Sequence, residues 1–319
     1  MADATPFVSL PVGAEVGLPP DPPDALDIGG RRFAWGERTY VMGIVNATPD
    51  SFSGDGLASS ASDASSTTTL AQAVLAAGST MADEGADIVD VGGESTRPGH
   101  QAVDAAEQRR RLVDGITALH AARPGLPISV DTRDAGVAAA ALAAGAAMVN
   151  DVAAVTEPSD ELFRVAAEHG VPVILMHDRA EARYRSVIGE VIADLARAIE
   201  RAVAAGLSWE RCIVDPGIGF GKTAEQNLAL LHDLAALRVL GRPVMLGASR
   251  KSTVGRVLDL PAAERLEGTI ATTVLGVAAG VDIVRVHDVR ANLRAARMAD
   301  AVVRADARAA RPASQEPSR

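Results

Sequence analysis

Three short apolar runs in this chain stop at residues that could pair with a planar heterocycle. "PISVD" ends at Asp131, "AMVND" reaches Asn150, and "CIVD" ends at Asp215. A carboxylate accepts from ring N–H and amino donors, while an amide side chain both donates and accepts. Such short side chains at the end of a buried run should point inward at the mouth of the fold. A reading of the three as metal ligands is weaker, because no histidine lies suitably beside them. A basic set complements them further out, in the loops expected after the second, seventh and eighth strands: Arg97 in "GGESTRPG", Arg250 and Lys251 in "GASRK", and Arg285 and His287 in "RVHD". Arg presents a fork to phosphate oxygens and His adds a donor, so the set suits an anionic, phosphorylated ligand. Ordinary surface charge is the competing account.

Aromatic residues make up only 3 % of the chain, so those outside core-like runs stand out. Phe52 in "PDSFSGDG" and Phe220 in "GIGFGKT" are two of five phenylalanines, both in polar, Gly-rich loops. They suit an apolar wall for an aromatic ring; the competing account is that each pins its own loop. "GIGFGKT" is not a Walker A loop, which needs GxxxxGK[ST]; Pro216 stands five residues before Gly221. Its glycines instead let backbone approach a ligand. There is no HExxH, GxSxG or CxxC, which removes zinc proteases, serine hydrolases and redox dithiols. Ser95, Thr96 and Ser249 have no evident His–Asp set, so a nucleophilic mechanism has no support.

The elements that must position these residues follow one rhythm. Eight apolar runs, "YVMGIV", "DIVDVG", "PISVD", "AMVND", "PVILMH", "CIVDPG", "PVMLGAS" and "DIVRVH", alternate with Ala/Leu-rich stretches at helical spacing. Several helical stretches end in glycine: Gly85, Gly145, Gly170 and Gly206. Near-continuous apolar strands followed by helices imply a parallel sheet covered by helices. Eight units in roughly 270 residues suit an α/β (β/α)₈ TIM barrel in a single domain, with the site at the C-terminal strand ends. An open doubly wound sheet is the runner-up, but no GxGxxG follows the first strand. A strand-ending Asp or Asn can also cap a helix. All eight strands ending in polar or Gly-rich groups on one rim is better explained by a ligand site.

The boundaries expected are a flexible Pro-rich tail over 1–25, the barrel over 26–305 with a short hairpin preface, and a flexible tail over 306–319. A net charge of -10 disfavours nucleic-acid binding and means that an anion needs a local basic pocket. Cys212 is the only cysteine, read as a buried strand residue; there is no disulfide framework. No stretch reads as a signal peptide or membrane span, so a soluble cytoplasmic protein is expected.

Taken in order, "MGIVNATPDSFSGDG", "DIVDVGGESTRPG", "SVDT", "MVNDV", "VILMH", "DPGIGFGKT", "LGASRKS" and "VRVHDV" resemble the dihydropteroate synthase family from about Phe33 to Ala301. "GGESTRPG" and "DPGIGFGK" are the specific motifs. The resemblance implies joining of dihydropterin pyrophosphate to p-aminobenzoate with release of pyrophosphate and with Mg²⁺. It places Asp131, Asn150, Met176, Asp215, Gly247 and Lys251 on the pterin. It places Asn46 on Mg²⁺ and pyrophosphate, with Arg97, Arg285 and His287 on the same anion. Phe52, Thr96, Pro98, Phe220 and Ser252 would form the p-aminobenzoate pocket, where sulfonamides compete. The catalytic set implied is Asp131, Asp215, Lys251 and Arg97, in a homodimer. Pyrophosphate would leave first, giving a pterin-methyl cation that the arylamine attacks. Three stretches depart from the family pattern: "SFSGDG" for "SFSDGG" with "LASSASDASSTTT" after it, the short "DRAEARYRS", and "NDVAAV" for "NDVSG". A pterin-binding paralogue without synthase activity and a pterin-dependent methyltransferase are the alternatives. Retention of the pyrophosphate clamp of Arg97, Lys251, Arg285 and His287 together discriminates against both.

Overall fold

A computed structural model of the protein describes residues 22–47, 67–93 and 104–304. It opens with an antiparallel hairpin of β1 (Leu26–Ile28) and β2 (Arg31–Phe33). Gly29 and Gly30 form its two-residue turn at φ 56° and 79°, the left-handed pair that such a tight hairpin requires. Eight parallel strands follow: β3 (Tyr40–Asn46), β4 (Ile88–Gly92), β5 (Ile128–Asp131), β6 (Met148–Asp151), β7 (Val173–Met176), β8 (Cys212–Asp215), β9 (Met245–Leu246) and β10 (Ile283–Val286). They pair in the order β8-β7-β6-β5-β4-β3-β10-β9. A parallel bridge between Val214 and Val244 joins the last pair, so the sheet closes on itself as a barrel.

Helices α1 (Thr67–Asp83), α2 (Ala105–Ala122), α3 (Ala135–Ala143), α4 (Asp160–His169), α5 (Val187–Ala204), α6 (Ala224–His232), α7 (Ser252–Leu258), α8 (Leu266–Ala278) and α9 (Val289–Val303) surround the barrel. Gly85, Gly145, Gly170 and Gly206 all carry positive φ just past helix ends, as their spacing predicts. Among the described residues no helix is long and apolar enough to cross a membrane.

Alternation along each strand divides two cores. Val41, Val89, Val130, Val149, Leu175, Val214 and Val284 face outward into the helical shell. Met42, Ile88, Met148, Ile174, Ile213, Met245 and Ile283 fill the barrel interior, where Phe33, Trp35 and Tyr40 pack with them. The hairpin thus plugs the N-terminal end. At that end the carboxylates serve backbone: Asp282 accepts from Gly36 N and Val244 N, Asp87 from Val41 N, and Asp300 from Thr39 N. With their lone pairs used in this way, these groups hold the fold together.

Candidate active site

The alternation that buries Ile88, Met148, Ile213 and Ile283 in the lower layer turns Asp90, Asn150, Asp215 and Arg285 inward one pleat higher. Capping does not account for the polar strand ends. Helix N-termini are instead capped by Asp104, Asp134, Ser159, Ser186 and Thr223, each worth about 1 kcal/mol. Asp131, Asn150 and Asp215 are left for the interior.

Arg285 is the hub. Its Nε donates to Asp90 Oδ2 at 2.7 Å and its Nη2 to Asp131 Oδ2 at 2.8 Å. Asn150 Nδ2 donates to the same Asp90 oxygen at 3.0 Å. Among the described residues, Asp90 Oδ1 and Asn150 Oδ1 are buried without a hydrogen-bond partner. Two buried acceptors with nothing to accept cost free energy that a ligand's N–H groups would recover. Burial pushes the Asp131 carboxyl pKa up, against the pull of Arg285. Burial also raises that of Asp215, although Gly217 N donates to its Oδ1 at 2.7 Å.

Asn150, Met176, Asp215, Gly247, Lys251 and Arg285 line one small cavity together with Phe220. Lys251 follows β9 at the start of α7, and its Nζ stands 3.9 Å from the centre of the Phe220 ring. Burial, reinforced by Arg285, lowers its pKa to about 8. His287 continues the inward parity of β10. Burial and the charges of Arg250 and Arg285 hold its imidazole neutral, with a pKa of about 3. Ser249 Oγ accepts from His287 N (3.2 Å) and lies 3.0 Å from Nδ1. A hydroxyl that accepts the backbone N–H can donate its own proton to Nδ1, which leaves the imidazole proton on Nε2.

Most of the pterin and anion residues read from the sequence therefore meet at one rim. Asn46 ends β3 half-buried, paired in register with Gly92. Ser252 is exposed as the first residue of α7. Phe52, Arg97, Thr96 and Pro98 lie outside the described residues. Three placements differ from the sequence reading. Arg285 lies within β10 and reaches into the barrel, because its parity matches Ile283; it is not a loop residue. Asn150 is the penultimate residue of β6, and Asp151, which ends the strand, has the opposite parity. Arg250 pairs with Asp288 at 2.8 Å and so is spent on the start of α9. Asp90 was missed; a lone carboxylate at the inward parity of "IVDVG" was the signal that could have found it.

A fold of this kind, with buried carboxylates, an amide and cations converging at the strand ends, defines a barrel enzyme that binds a flat, donor-rich heterocycle bearing an anion. A family model described as pterin binding enzyme matches residues 42–287. The dihydropteroate synthase of Clostridium beijerinckii is 45% identical over 280 residues, covering 88% of this chain and 100% of that protein. Xanthomonas albilineans dihydropteroate synthase, solved with 4-aminobenzoic acid, superposes with a TM-score of 0.79 at 40% identity, covering 91% of this chain and 100% of that one. The same enzyme in complex with 7,8-dihydropteroate gives 0.76 at 38% identity, covering 90% and 100%. The chain belongs to the pterin-binding enzyme family, among the dihydropteroate synthases.

Proposed function

We infer that the protein condenses 6-hydroxymethyl-dihydropterin diphosphate with p-aminobenzoate, giving dihydropteroate and pyrophosphate in folate biosynthesis. The observation that carries this reading is the pair of unpartnered buried acceptors, Asp90 Oδ1 and Asn150 Oδ1, beside the Asp131 and Asp215 carboxyls. The amino and ring N–H donors of a pterin match them. Lys251, over Phe220, completes the ring's surroundings.

The C–O bond to pyrophosphate breaks, the leaving group keeps the electron pair, and the arylamine nitrogen bonds to the pterin methylene and then loses one of its protons to water. Buried carboxylates beside the ring favour the positive charge that spreads over it as the bond breaks. Arg285 spends two of its nitrogens on Asp90 and Asp131, which leaves Nη1 to face the leaving group with His287 Nε2 and Arg97. Phe220, with Phe52, Thr96, Pro98 and Ser252, forms the p-aminobenzoate pocket, and sulfonamides compete there.

Among the described residues no cluster of three His, Cys, Asp or Glu could hold a metal. Mg²⁺ is often held by substrate phosphates and water with one or two protein oxygens, and Asn46, at the end of β3, carries one such oxygen. Asn46 would provide the protein oxygen, and the ion would neutralise charge on the pyrophosphate. The protein is cytoplasmic and forms a homodimer through neighbouring helices of the shell. Val257 on α7, Val274 and Leu275 on α8, and Met298 and Val302 on α9 are apolar and exposed, which supports that reading.

The test uses purified protein, Mg²⁺ and both substrates. Pyrophosphate should be released only when both are present, and a sulfonamide should raise the apparent KM for p-aminobenzoate. Pyrophosphate release without dihydropteroate, or no turnover at all, would sink the synthase reading. Light scattering during chromatography tests the dimer; a monomer at micromolar concentration would contradict it.

A further inference from the structure

The loop from Pro216 to Lys222 carries Phe220 to the cavity, yet its own backbone is soft. Gly217, Gly219 and Gly221 all have positive φ, at 65°, 84° and 59°. Three glycines in so short a stretch leave the backbone little stiffness of its own, so side-chain contacts anchored on neighbouring elements must hold it. Phe220 N donates to Gly217 O at 3.1 Å, making a turn of those four residues. Lys222 closes that turn from beneath. Its Nζ donates to Gly217 O and to Phe220 O, both at 2.9 Å, and lies 2.9 Å from His177 Nδ1.

His177 is fully buried, and its Nε2 lies 3.1 Å from Asp194 Oδ2. Asp194 is fixed in turn by Arg179 at 2.8 Å and by Arg197. With the ring proton on Nε2, donated to Asp194, Nδ1 is free to accept from Lys222. The chain Asp194, His177, Lys222 thus runs from helix α5 through the end of β7 to the Phe220 carbonyl. On the other side of Phe220, Lys251 Nζ meets the ring. Lys222 governs the backbone, and Lys251 touches the face.

We propose that Lys222 is a positioning residue that sets the Phe220 ring, and through it the affinity for the arylamine substrate. Phe220's part in that pocket rests on the synthase reading. Burial lowers the Lys222 pKa to about 7, consistent with an amine enclosed by carbonyls and an imidazole. The ammonium form has three N–H donors, one each for Gly217 O, Phe220 O and His177 Nδ1, so the complete clamp uses the charged lysine.

A double-mutant cycle on the full-length protein tests this. Lys222→Met should raise the KM for p-aminobenzoate about tenfold while leaving the KM for the pterin substrate within about twofold. In a Phe220→Ala background the same substitution should change the p-aminobenzoate KM by less than about twofold, since the ring it positions is gone. Lys222→Arg, which keeps donors at that site, should recover part of the loss. Independent, additive effects of Lys222→Met and Phe220→Ala would overturn the proposal, as would an equal rise in both KM values. Hydrogen exchange keeps the test open if Lys222→Met folds poorly. In Lys222→Arg or His177→Gln, amides of residues 217–222 should exchange faster while the barrel strands keep their protection. Unchanged exchange in that segment would overturn the proposal. If the wild-type protein makes no dihydropteroate, the synthase reading fails, and hydrogen exchange alone decides whether Lys222 holds the loop.

Discussion

Asp215 and Lys251 face each other across the cavity at the ends of adjacent strands, and both are shifted toward their neutral forms by burial. Removing either leaves the other in a polar pocket with one fewer counter-charge. Asp215→Ala and Lys251→Ala should each lower kcat/KM by at least about 100-fold, roughly 3 kcal/mol of transition-state stabilisation, with far-UV circular dichroism unchanged. Turnover near wild type from either variant would refute the pterin floor. Ser249 acts at one remove, through the tautomer of His287. Ser249→Ala should raise the KM for the pterin substrate about tenfold, the scale of one lost hydrogen bond to a charged group, with the KM for p-aminobenzoate little changed. At this scale the sequence was most legible where a polar residue ended an apolar run, as at Asp131 and Asp215. Asp90 and Arg285 sit inside their runs, where only the pleat parity reveals which way a side chain faces. Ser249, Lys222 and His177 gain their roles from contacts between loops that no local pattern encodes.

Among the elements, helices were read from their spacing and their glycine ends, and β9 was the least legible strand. "PVMLGAS" promises seven residues, yet only Met245 and Leu246 pair with β10, with Val244 bridged to β8, before the chain turns at Gly247 toward Lys251. The tight packing of the loops after β7 and β8 is likewise invisible in sequence. A Cβ on Gly221 would lie 2.0 Å from Arg179 O, and one on Gly217 1.7 Å from His177 O. These two glycines are required by close backbone approach as well as by their positive φ. Gly221→Ala should therefore cost about 2–4 kcal/mol, measured by denaturant unfolding with an unchanged m-value. A loss under about 0.5 kcal/mol would show that the two loops are not interlocked as described.

For the molecule as a whole, the site works against stability. Asp215 has its pKa raised in the folded protein, so over a window above 3.8 the folded state binds a proton that the unfolded chain has released. Stability contributed by this group therefore falls as pH rises through that window, and the penalty is fully present above it. Asp215→Asn keeps an acceptor for Gly217 N and removes the charge. It should raise Tm at pH 8 and show a smaller gain near pH 4, close to the ordinary carboxyl value where the penalty only begins, at the expense of turnover. An equal gain at both pH values would mean that Asp215 is not strained by burial. The net charge of -10 is no obstacle to a phosphorylated substrate, because the cations Lys251 and Arg285 line the site and the neutral His287 adds a donor beside them. The eightfold rhythm made that rim legible before any coordinates; which strand ends touch one another depended on barrel closure.

The central claim is that the inward-facing set of Asp90, Asp131, Asn150, Asp215, Lys251 and Arg285 is the pterin floor. A crystal structure of the protein with 7,8-dihydropteroate bound tests it most directly. The pterin N–H and amino groups should lie within hydrogen-bond distance of Asn150 Oδ1 and the Asp215 carboxylate, with the arylamine beside Phe220. A pterin bound elsewhere, such as the arginine-lined depression at the N-terminal end of the barrel around Arg31, Arg38 and Arg297, would contradict the account.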